Sequence, residues 1–273
     1  MSTENINQQY TTHNLFEKIL DTIETRDIAK DSITQKQISA FDEFHIRGRE
    51  VTLELINELN LNSNAQVLDV GCGLGGPCRQ IAVNGNCMVV GLDVNPEYIR
   101  TAKKLSELVN LDADTDFIEG SALDLPFEPQ TFDVVITQHV QMNIKDKERF
   151  YSEIYRVLKP SGQFLYYDVL EGNGKDLYYP LPWANKPSIN YLIKPGELEL
   201  FMEKTGFSKV RLTDQTQKGL LFLTEFLKRS EKMPAILSGQ NILMEDNAKE
   251  KILNIQKCII EQRIALQSGI WNK

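Results

Sequence analysis

The sequence predicts an α/β protein whose mostly parallel sheet is covered by helices on both faces. Between residues 64 and 170, short runs of apolar and β-branched residues alternate with amphipathic helical patterns. These strand segments are apolar throughout, as expected where a parallel sheet is buried on both sides. One of them ends beside an acid and passes directly into a glycine-rich turn, where bare backbone can approach a ligand.

Seven strands and their connecting helices can be placed in order. Two amphipathic helices, 11–25 and 47–60, precede the sheet. The predicted strands are 66–70, 88–92, 115–119, 132–137, 163–168, 208–213 and 264–271, the last at an edge. The predicted helices between them are 77–83, 96–110, 145–158, 195–205, 217–230 and 245–263. Residues 171–194, rich in Gly, Pro and aromatic residues, interrupt the pattern and predict a lid over a site.

Composition narrows the function classes. The 273 residues include 30 basic and 38 acidic ones, a net charge of −8, and no basic run that would indicate a nucleic-acid partner. No apolar run reaches membrane-spanning length, so no membrane partner is expected. The cysteines and histidines lack the spacing of metal ligands, and no metal is expected. Thiols without obvious pairing favour a cytoplasmic location.

The glycine-rich turn fits two kinds of nucleotide. Gly71, Gly73 and Gly76 satisfy the spacing G-x-G-x-x-G of dinucleotide sites. Asp69, however, lies two residues before the first glycine, where a dinucleotide-binding strand usually carries an apolar residue. Spacing alone therefore leaves a nicotinamide dinucleotide and S-adenosylmethionine as alternatives.

Asp93 ends the second strand, 22 residues after Gly71. An acid at this place can accept hydrogen bonds from the two ribose hydroxyls of an adenosine. Both nucleotides contain that ribose, so Asp93 indicates a nucleoside without naming it. A helix cap at a strand–helix junction is the alternative role.

Four motifs appear together in register with the predicted strands. They are Leu-Asp-Val-Gly-Cys-Gly-Leu-Gly-Gly at 68–76, Gly-Ser-Ala-Leu-Asp-Leu-Pro-Phe at 120–127, Thr-Phe-Asp-Val-Val-Ile at 131–136 and Arg-Val-Leu-Lys-Pro-Ser-Gly-Gln at 156–163. In this order and spacing the chain resembles the class I S-adenosylmethionine-dependent methyltransferases. Segments 41–49, 137–144 and 181–184 extend the resemblance, from Tyr10 to the C-terminus, to the sarcosine/dimethylglycine methyltransferases, which are related to sterol and phosphoethanolamine methyltransferases.

The resemblance implies a Rossmann-like fold with a seven-stranded, mostly parallel sheet and helices on both faces. Residues 1–63 would form an N-terminal helical cap. Residues 64–273 would form the S-adenosylmethionine-binding methyltransferase domain, with a substrate lid around 171–194 inserted after strand five.

The resemblance also implies the cofactor site for S-adenosyl-L-methionine, with S-adenosyl-L-homocysteine as product. The implied cofactor-binding residues are Asp69, Gly71, Gly73, Gly75, Asp93, Val94, Asn95, Ser121, Ala122 and Gln138. Asp69 would face the methionine portion and Asp93 the ribose, and Ser121 would lie at the adenine edge. Many relatives carry an acid where Ser121 stands, so this contact would be weaker than a charge-assisted one.

The substrate side is less well defined by the sequence. His139 is the candidate catalytic base, because active sites of open α/β sheets collect where strands end. A histidine that only holds its loop is the alternative. The predicted substrate residues are His45, Tyr178, Trp183 and Tyr191. Trp183, Tyr178, Tyr179 and Tyr191 could form an aromatic wall around a substituted amine through cation–π contacts. His45 could close over the cofactor or have only a structural role. An ordinary hydrophobic lid would explain these aromatic residues equally well.

The predicted function is methyl transfer from S-adenosylmethionine to a small-molecule acceptor, with an amine nitrogen favoured. Methyl transfer to carbon or oxygen, a nicotinamide-dependent oxidoreductase and a protein that binds the nucleoside without turnover are the alternatives. The apolar stripe at 217–230 belongs either to the core or to the interface of a homodimer.

Overall fold

The computed structural model describes residues 14–24, 33–59, 61–233, 237–244 and 247–273. Its seven strands form one sheet in the order β3-β2-β1-β4-β5-β7-β6. The strands are β1 Gln66–Val70, β2 Met88–Asp93, β3 Thr115–Glu119, β4 Phe132–Gln138, β5 Leu158–Glu171, β6 Ser208–Asp214 and β7 Ile264–Asn272. The predicted seven-stranded, mostly parallel sheet is confirmed.

The helices surround this sheet. They are α1 Leu15–Glu24, α2 Gln35–Asp42, α3 Gly48–Ile56, α4 Gly76–Gly85, α5 Pro96–Leu108, α6 Lys147–Val157, α7 Pro195–Thr205, α8 Thr216–Lys232, α9 Leu237–Met244 and α10 Ala248–Ile260. Asn95 caps α5, because its side-chain oxygen accepts from the amides of Glu97 and Tyr98. The sequence patterns did not reveal α2 and α9. Positions 11–13, 25, 60 and 245–246 of the predicted helices lie outside the described residues.

The prediction that the last strand lies at an edge is wrong. β7 pairs antiparallel with β5 on one side and with β6 on the other, so β6 is the edge strand. The burial of the two strands explains this order, since Trp271 of β7 is fully buried whereas most of β6 is exposed. Charged side chains such as Lys209 and Arg211 suit an edge, where they discourage pairing with other chains.

Two hydrophobic cores lie on opposite faces of the sheet. Successive residues of β1 point to opposite sides, so that Val67 belongs to one core and Leu68 to the other. The first core also contains Leu223 and Leu227 of α8. The apolar stripe predicted at 217–230 is therefore largely a core face, and exposed Leu221 is one of its outward residues.

The N-terminal helices pack directly onto the glycine-rich turn. A Cβ atom at Gly76 would lie 2.4 Å from the carbonyl oxygen of Asp42, so only glycine allows α2 to approach this closely. Leu15 and Ile38 form a third apolar cluster together with Leu105 of α5. The proposed boundary between a cap and the sheet domain at residue 63 stays a prediction.

The aromatic segment after β5 has little regular structure but is well packed. Leu181, Trp183 and Ala184 are buried, and the amide of Leu181 donates to the carbonyl of Ala184 at 2.8 Å. This segment therefore contributes to the first core as well as covering it. Among the helices of the described ranges, none combines the length and the apolar character needed to cross a bilayer.

Candidate functional site

The glycine-rich turn crosses the carboxyl end of β2. The amides of Gly71 and Cys72 both donate to the carbonyl of Leu92, at 2.7 and 3.0 Å. Gly73 has φ of +54°, and a Cβ atom placed there would meet no atom within 4 Å. The turn thus presents open space next to bare backbone, which is the condition for close approach of a ligand.

The carboxylate of Asp93 holds this turn in place through hydrogen bonds. Its two carboxylate oxygens accept from the amide of Gly73 at 3.0 Å and from the amide of Asn95 at 2.9 Å. One acid therefore ties the glycine-rich turn to the start of α5. Burial raises the pKa of Asp93, and the backbone amides oppose that shift.

Asp69 is buried at the end of β1 and receives a hydrogen bond from the thiol of Cys78 at 3.3 Å. No ion pair to Asp69 occurs among the described residues. Burial, with a smaller contribution from the charge of Asp93, raises the pKa of this carboxyl to about 7 against the opposing effect of the thiol bond. A buried acid without a cation nearby is costly to ionise, and a cationic ligand would offset that cost.

A first cavity of about 180 Å³ brings these residues together. All of the predicted cofactor-binding residues line it except one: Asp69, Gly71, Gly73, Asp93, Val94, Asn95, Ser121, Ala122 and Gln138. The exception is Gly75, which adopts φ of +77° at the start of α4 and whose Cβ atom would lie 2.5 Å from the ring of Phe117. Gly75 therefore shapes the turn. The Ser121 hydroxyl accepts from the amide of Leu123 and so also stabilises its own loop.

A second cavity of about 630 Å³ adjoins the first. Phe44, His45 and His139 line both cavities and so form their common wall. Trp183 lines the second cavity, as its predicted substrate role requires. The sequence did not predict that Phe222 and Phe226 of α8 line this cavity, or that residues of α9 and α10 do. The helical spacing of the α8 residues was visible, but it did not distinguish core from cavity.

The two histidines of the common wall are close together and uncharged. Their ring centroids are 5.9 Å apart in an edge-on arrangement. Burial lowers the pKa of His45 to about 4, and burial with the nearby His45 lowers the pKa of His139 well below its usual range. The Nε2 atom of His139 is buried and makes no hydrogen bond among the described residues.

His139 is held in place by its backbone. It adopts φ of +55°, and its amide donates to the carbonyl of Tyr167 at 2.8 Å. Asp168 then accepts the amides of Val140 and Gln141 through one carboxylate oxygen. The loop after β4 is therefore fixed by main-chain bonds, and the imidazole of His139 remains available to the cavities.

A polar network runs beneath the common wall. Nε2 of His45 lies 3.1 Å from both the carbonyl of Gly48 and the hydroxyl of Thr52. Because a carbonyl only accepts, Nε2 carries the proton in the neutral ring. Thr52 donates to Glu43 at 2.6 Å and lies 3.2 Å from the side-chain oxygen of Gln138. Burial and the charge of Asp42 raise the pKa of Glu43 to about 8.

Tyr178 and Tyr191 are not among the residues that line either cavity. The ring of Tyr178 is already covered by the Lys257 ammonium, 3.6 Å from its centroid, and its hydroxyl lies 3.0 Å from the carboxylate of Glu261. The backbone of Tyr191 donates to Met142 and accepts from Lys147. Tyr179 also lines neither cavity, so of the four residues of the predicted aromatic wall only Trp183 lines a cavity.

A family model described as a methyltransferase domain matches residues 61–182. These residues include the whole lining of the first cavity apart from its N-terminal wall and Leu243. Residues 61–182 of this chain therefore resemble a methyltransferase domain. The sterol 24-C-methyltransferase of Candida albicans is 40% identical over 114 residues, which cover 42% of this chain and 30% of that protein. The matched region thus covers under a third of the length of this curated relative.

Two solved structures share the fold of this methyltransferase domain. Phosphoethanolamine N-methyltransferase 2 from Haemonchus contortus superposes with a TM-score of 0.74 and 22% identity, covering 90% of this chain and 60% of that one. A putative sarcosine dimethylglycine methyltransferase from Galdieria sulphuraria gives a TM-score of 0.67 and 20% identity, covering 82% and 85%. These structures therefore share the arrangement of strands well beyond the matched residues 61–182.

Proposed function

We propose that the protein transfers the methyl group of S-adenosylmethionine to a small molecule held in the second cavity. The observation that carries this proposal is the common wall of Phe44, His45 and His139 between the two cavities. A donor in one cavity and an acceptor in the other would meet at that wall. Positioning of this kind is the main protein contribution to a displacement reaction, worth up to about 7–11 kcal/mol.

The residues of the first cavity suit S-adenosylmethionine. The open space at Gly73 accommodates a bulky ligand against the backbone, and the ionised carboxylate of Asp69 would balance a cationic methionyl group. Asp93 would accept the ribose hydroxyls on the lone pairs that its two backbone partners leave free. When bound, the cofactor supplies a methyl carbon activated by a positively charged sulfur.

The chain itself positions the groups and controls protons at the wall. His139 is neutral at physiological pH, and its unpartnered Nε2 could hold an acceptor hydroxyl or amine or take its proton. His45 has its Nε2 proton committed to Gly48 and Thr52 and therefore acts as a positioning residue. Trp183, fixed by a bond from its indole to Asn190, closes the far side.

Incubation with S-adenosylmethionine labelled in its methyl group tests the proposal. We expect label to pass to a small molecule in a panel of acceptors, with S-adenosylhomocysteine formed in equal amount. Calorimetric titration with S-adenosylhomocysteine and with a nicotinamide dinucleotide is the parallel measurement. Tight binding of the dinucleotide without binding of S-adenosylhomocysteine would contradict the proposal and favour an oxidoreductase.

Cofactor affinity should rise with pH. The pKa of Asp69 is raised to about 7, so below that pH the carboxyl is protonated and cannot balance a cation. Affinity for S-adenosylmethionine is therefore expected to increase up to about tenfold per pH unit below pH 7 and to level off above it. Isothermal titration at about pH 6 and about pH 8 measures this, and Asp69→Asn should flatten the profile. An unchanged pH profile in Asp69→Asn would assign the effect to another group.

The same group affects the free protein in the opposite sense. A carboxyl whose folded-state pKa is raised contributes stability below its unfolded pKa, and that stability is lost as pH rises through about 7. The increase in melting temperature on cofactor binding should therefore be larger at about pH 8 than at about pH 6.

The four cysteines are free and buried, which supports the proposed cytoplasmic location. The homodimer also stays a proposal.

A further inference from the structure

The second cavity is large and mostly apolar. Its volume of about 630 Å³ lies within the range of about 300–1,000 Å³ that is typical of pockets for drug-sized ligands. Apolar side chains from five separate parts of the chain form its walls, including Met142, Trp183, Phe226, Met244 and Ile255. An acceptor as small as sarcosine would leave most of this surface in contact with water, so an apolar body of larger size fits better.

Two arginines of the cavity, Arg49 and Arg229, form no ion pair among the described residues. Arg49, at the start of α3, lines it, and the Nε atom of Arg49 is buried without a hydrogen-bond partner in the described part of the chain. Arg229, near the end of α8, lines it too, and within the described ranges it forms no ion pair. Arg47 differs, because Glu50 at 2.9 Å and Gln215 at 3.2 Å already engage its guanidinium.

The acidic groups of the cavity do not neutralise these charges. Glu50 is engaged by Arg47. Glu43 hydrogen-bonds with Thr52, and burial raises its pKa to about 8, so it is mostly protonated near neutral pH. Arg229 is exposed to solvent, whereas Arg49 is partly buried. A partly buried charge is costly until it is paired, so Arg49 favours an anionic group in the cavity.

We propose that the acceptor is an amphipathic anion, with an apolar body that fills the second cavity and a carboxylate or phosphate group that binds Arg49. This inference rests on the proposed function and specifies its substrate class. A guanidinium matches both groups because its planar N–H donors can form two parallel hydrogen bonds to their oxygens. The same arginines disfavour a cationic amine, which replaces the sequence-based expectation of an amine acceptor.

A matched set of ligands tests the head group. The protein is first saturated with S-adenosylhomocysteine and then titrated calorimetrically with dodecanoate, dodecyl phosphate, dodecanol or dodecyltrimethylammonium, each below its micelle concentration. We expect at least one anion to bind about tenfold more tightly than the alcohol, and the cation to bind most weakly. The tighter anion identifies carboxylate or phosphate as the head group. Equal binding of anion and alcohol, or tighter binding of the cation, would overturn the inference.

Substitution of the arginine locates the head group. Arg49→Gln should weaken binding of the anion about tenfold and change binding of dodecanol little, while Arg49→Lys should give an intermediate affinity. Arg100→Gln is the matched control, because Arg100 is exposed on α5 and lines neither cavity. Affinity for S-adenosylhomocysteine and the circular dichroism spectrum show whether each variant is folded. An Arg49→Gln protein that is folded and keeps full anion affinity would contradict the assignment.

The proposed function and the proposed acceptor class can be tested separately. Failure of the wild-type protein to bind S-adenosylhomocysteine would count against the proposed function. Normal S-adenosylhomocysteine binding without a preference for anions would count against the acceptor class alone.

Discussion

Replacing Arg79 by leucine is expected to lower the free energy of unfolding by about 3–5 kcal/mol. Arg79 is fully buried and pairs with Asp42 at 2.7 Å. It also donates to the carbonyls of Leu74 and Ala102 and to the hydroxyl of Ser106. The substitution would leave the Asp42 carboxyl buried without its partner. Burial already raises the pKa of Asp42 to about 6 against the opposing effect of Arg79.

Urea denaturation followed by tryptophan fluorescence measures the effect, since Trp183 and Trp271 are both buried. Lys104→Ala is the control. Lys104 pairs with Glu17 at 3.0 Å on the surface, where both side chains are about half exposed, and the loss should stay below about 1 kcal/mol. If Arg79→Leu changed the stability no more than Lys104→Ala, the buried pair would not stabilise the fold as argued.

Replacing Asp93 by alanine is expected to reduce the affinity for S-adenosylhomocysteine by at least about 2 kcal/mol, roughly thirtyfold. Part of the loss comes from the ribose hydroxyls, which would lose a charged acceptor. The rest comes from the glycine-rich turn, because the amides of Gly73 and Asn95 would lose the carboxylate that fixes them. The unfolding free energy should fall less than in Arg79→Leu, since Asp93 has no ionic partner among the described residues.

Comparison with Asp93→Asn separates the two causes, because asparagine keeps one acceptor oxygen but loses the charge. Isothermal titration of wild type, Asp93→Ala and Asp93→Asn gives the series, with Asp112→Ala on an exposed loop as control. Unchanged affinity in Asp93→Ala would mean that neither a ribose contact nor the support of the turn by Asp93 contributes to cofactor binding.

The cofactor side of the site could be predicted almost residue by residue. The positions of Asp69, Gly73 and Asp93 follow from where strands end and turns begin, which short stretches of sequence define. Parallel strands bring their carboxyl ends to the same edge of a sheet, so three separated motifs converge on one cavity. The resemblance gave Gly75 a part in shaping the turn, and its conformation at the start of α4, next to Phe117, agrees with that role.

The acceptor side could not be predicted in the same way. The aromatic residues of 171–194 formed one group in the sequence, yet Trp183 faces the second cavity and Tyr178 contacts Lys257 and Arg263. Irregular segments lack a period from which a side-chain direction can be read. Phe226 and Met244 line the cavity from helices whose spacing indicates only that one face is apolar.

The sequence by itself determined the parallel sheet, the nucleoside-binding turn and the acids that support it, because each depends on neighbouring residues and on strand ends. Only the tertiary structure decided that β7 is interior, that His45 and His139 share one wall, and that Arg49 lines the larger cavity without an ion pair to any described residue. These features depend on burial and on charges from residues far apart in the chain. A sequence pattern records which side chains are present, whereas the folded chain decides which of them remain unpaired.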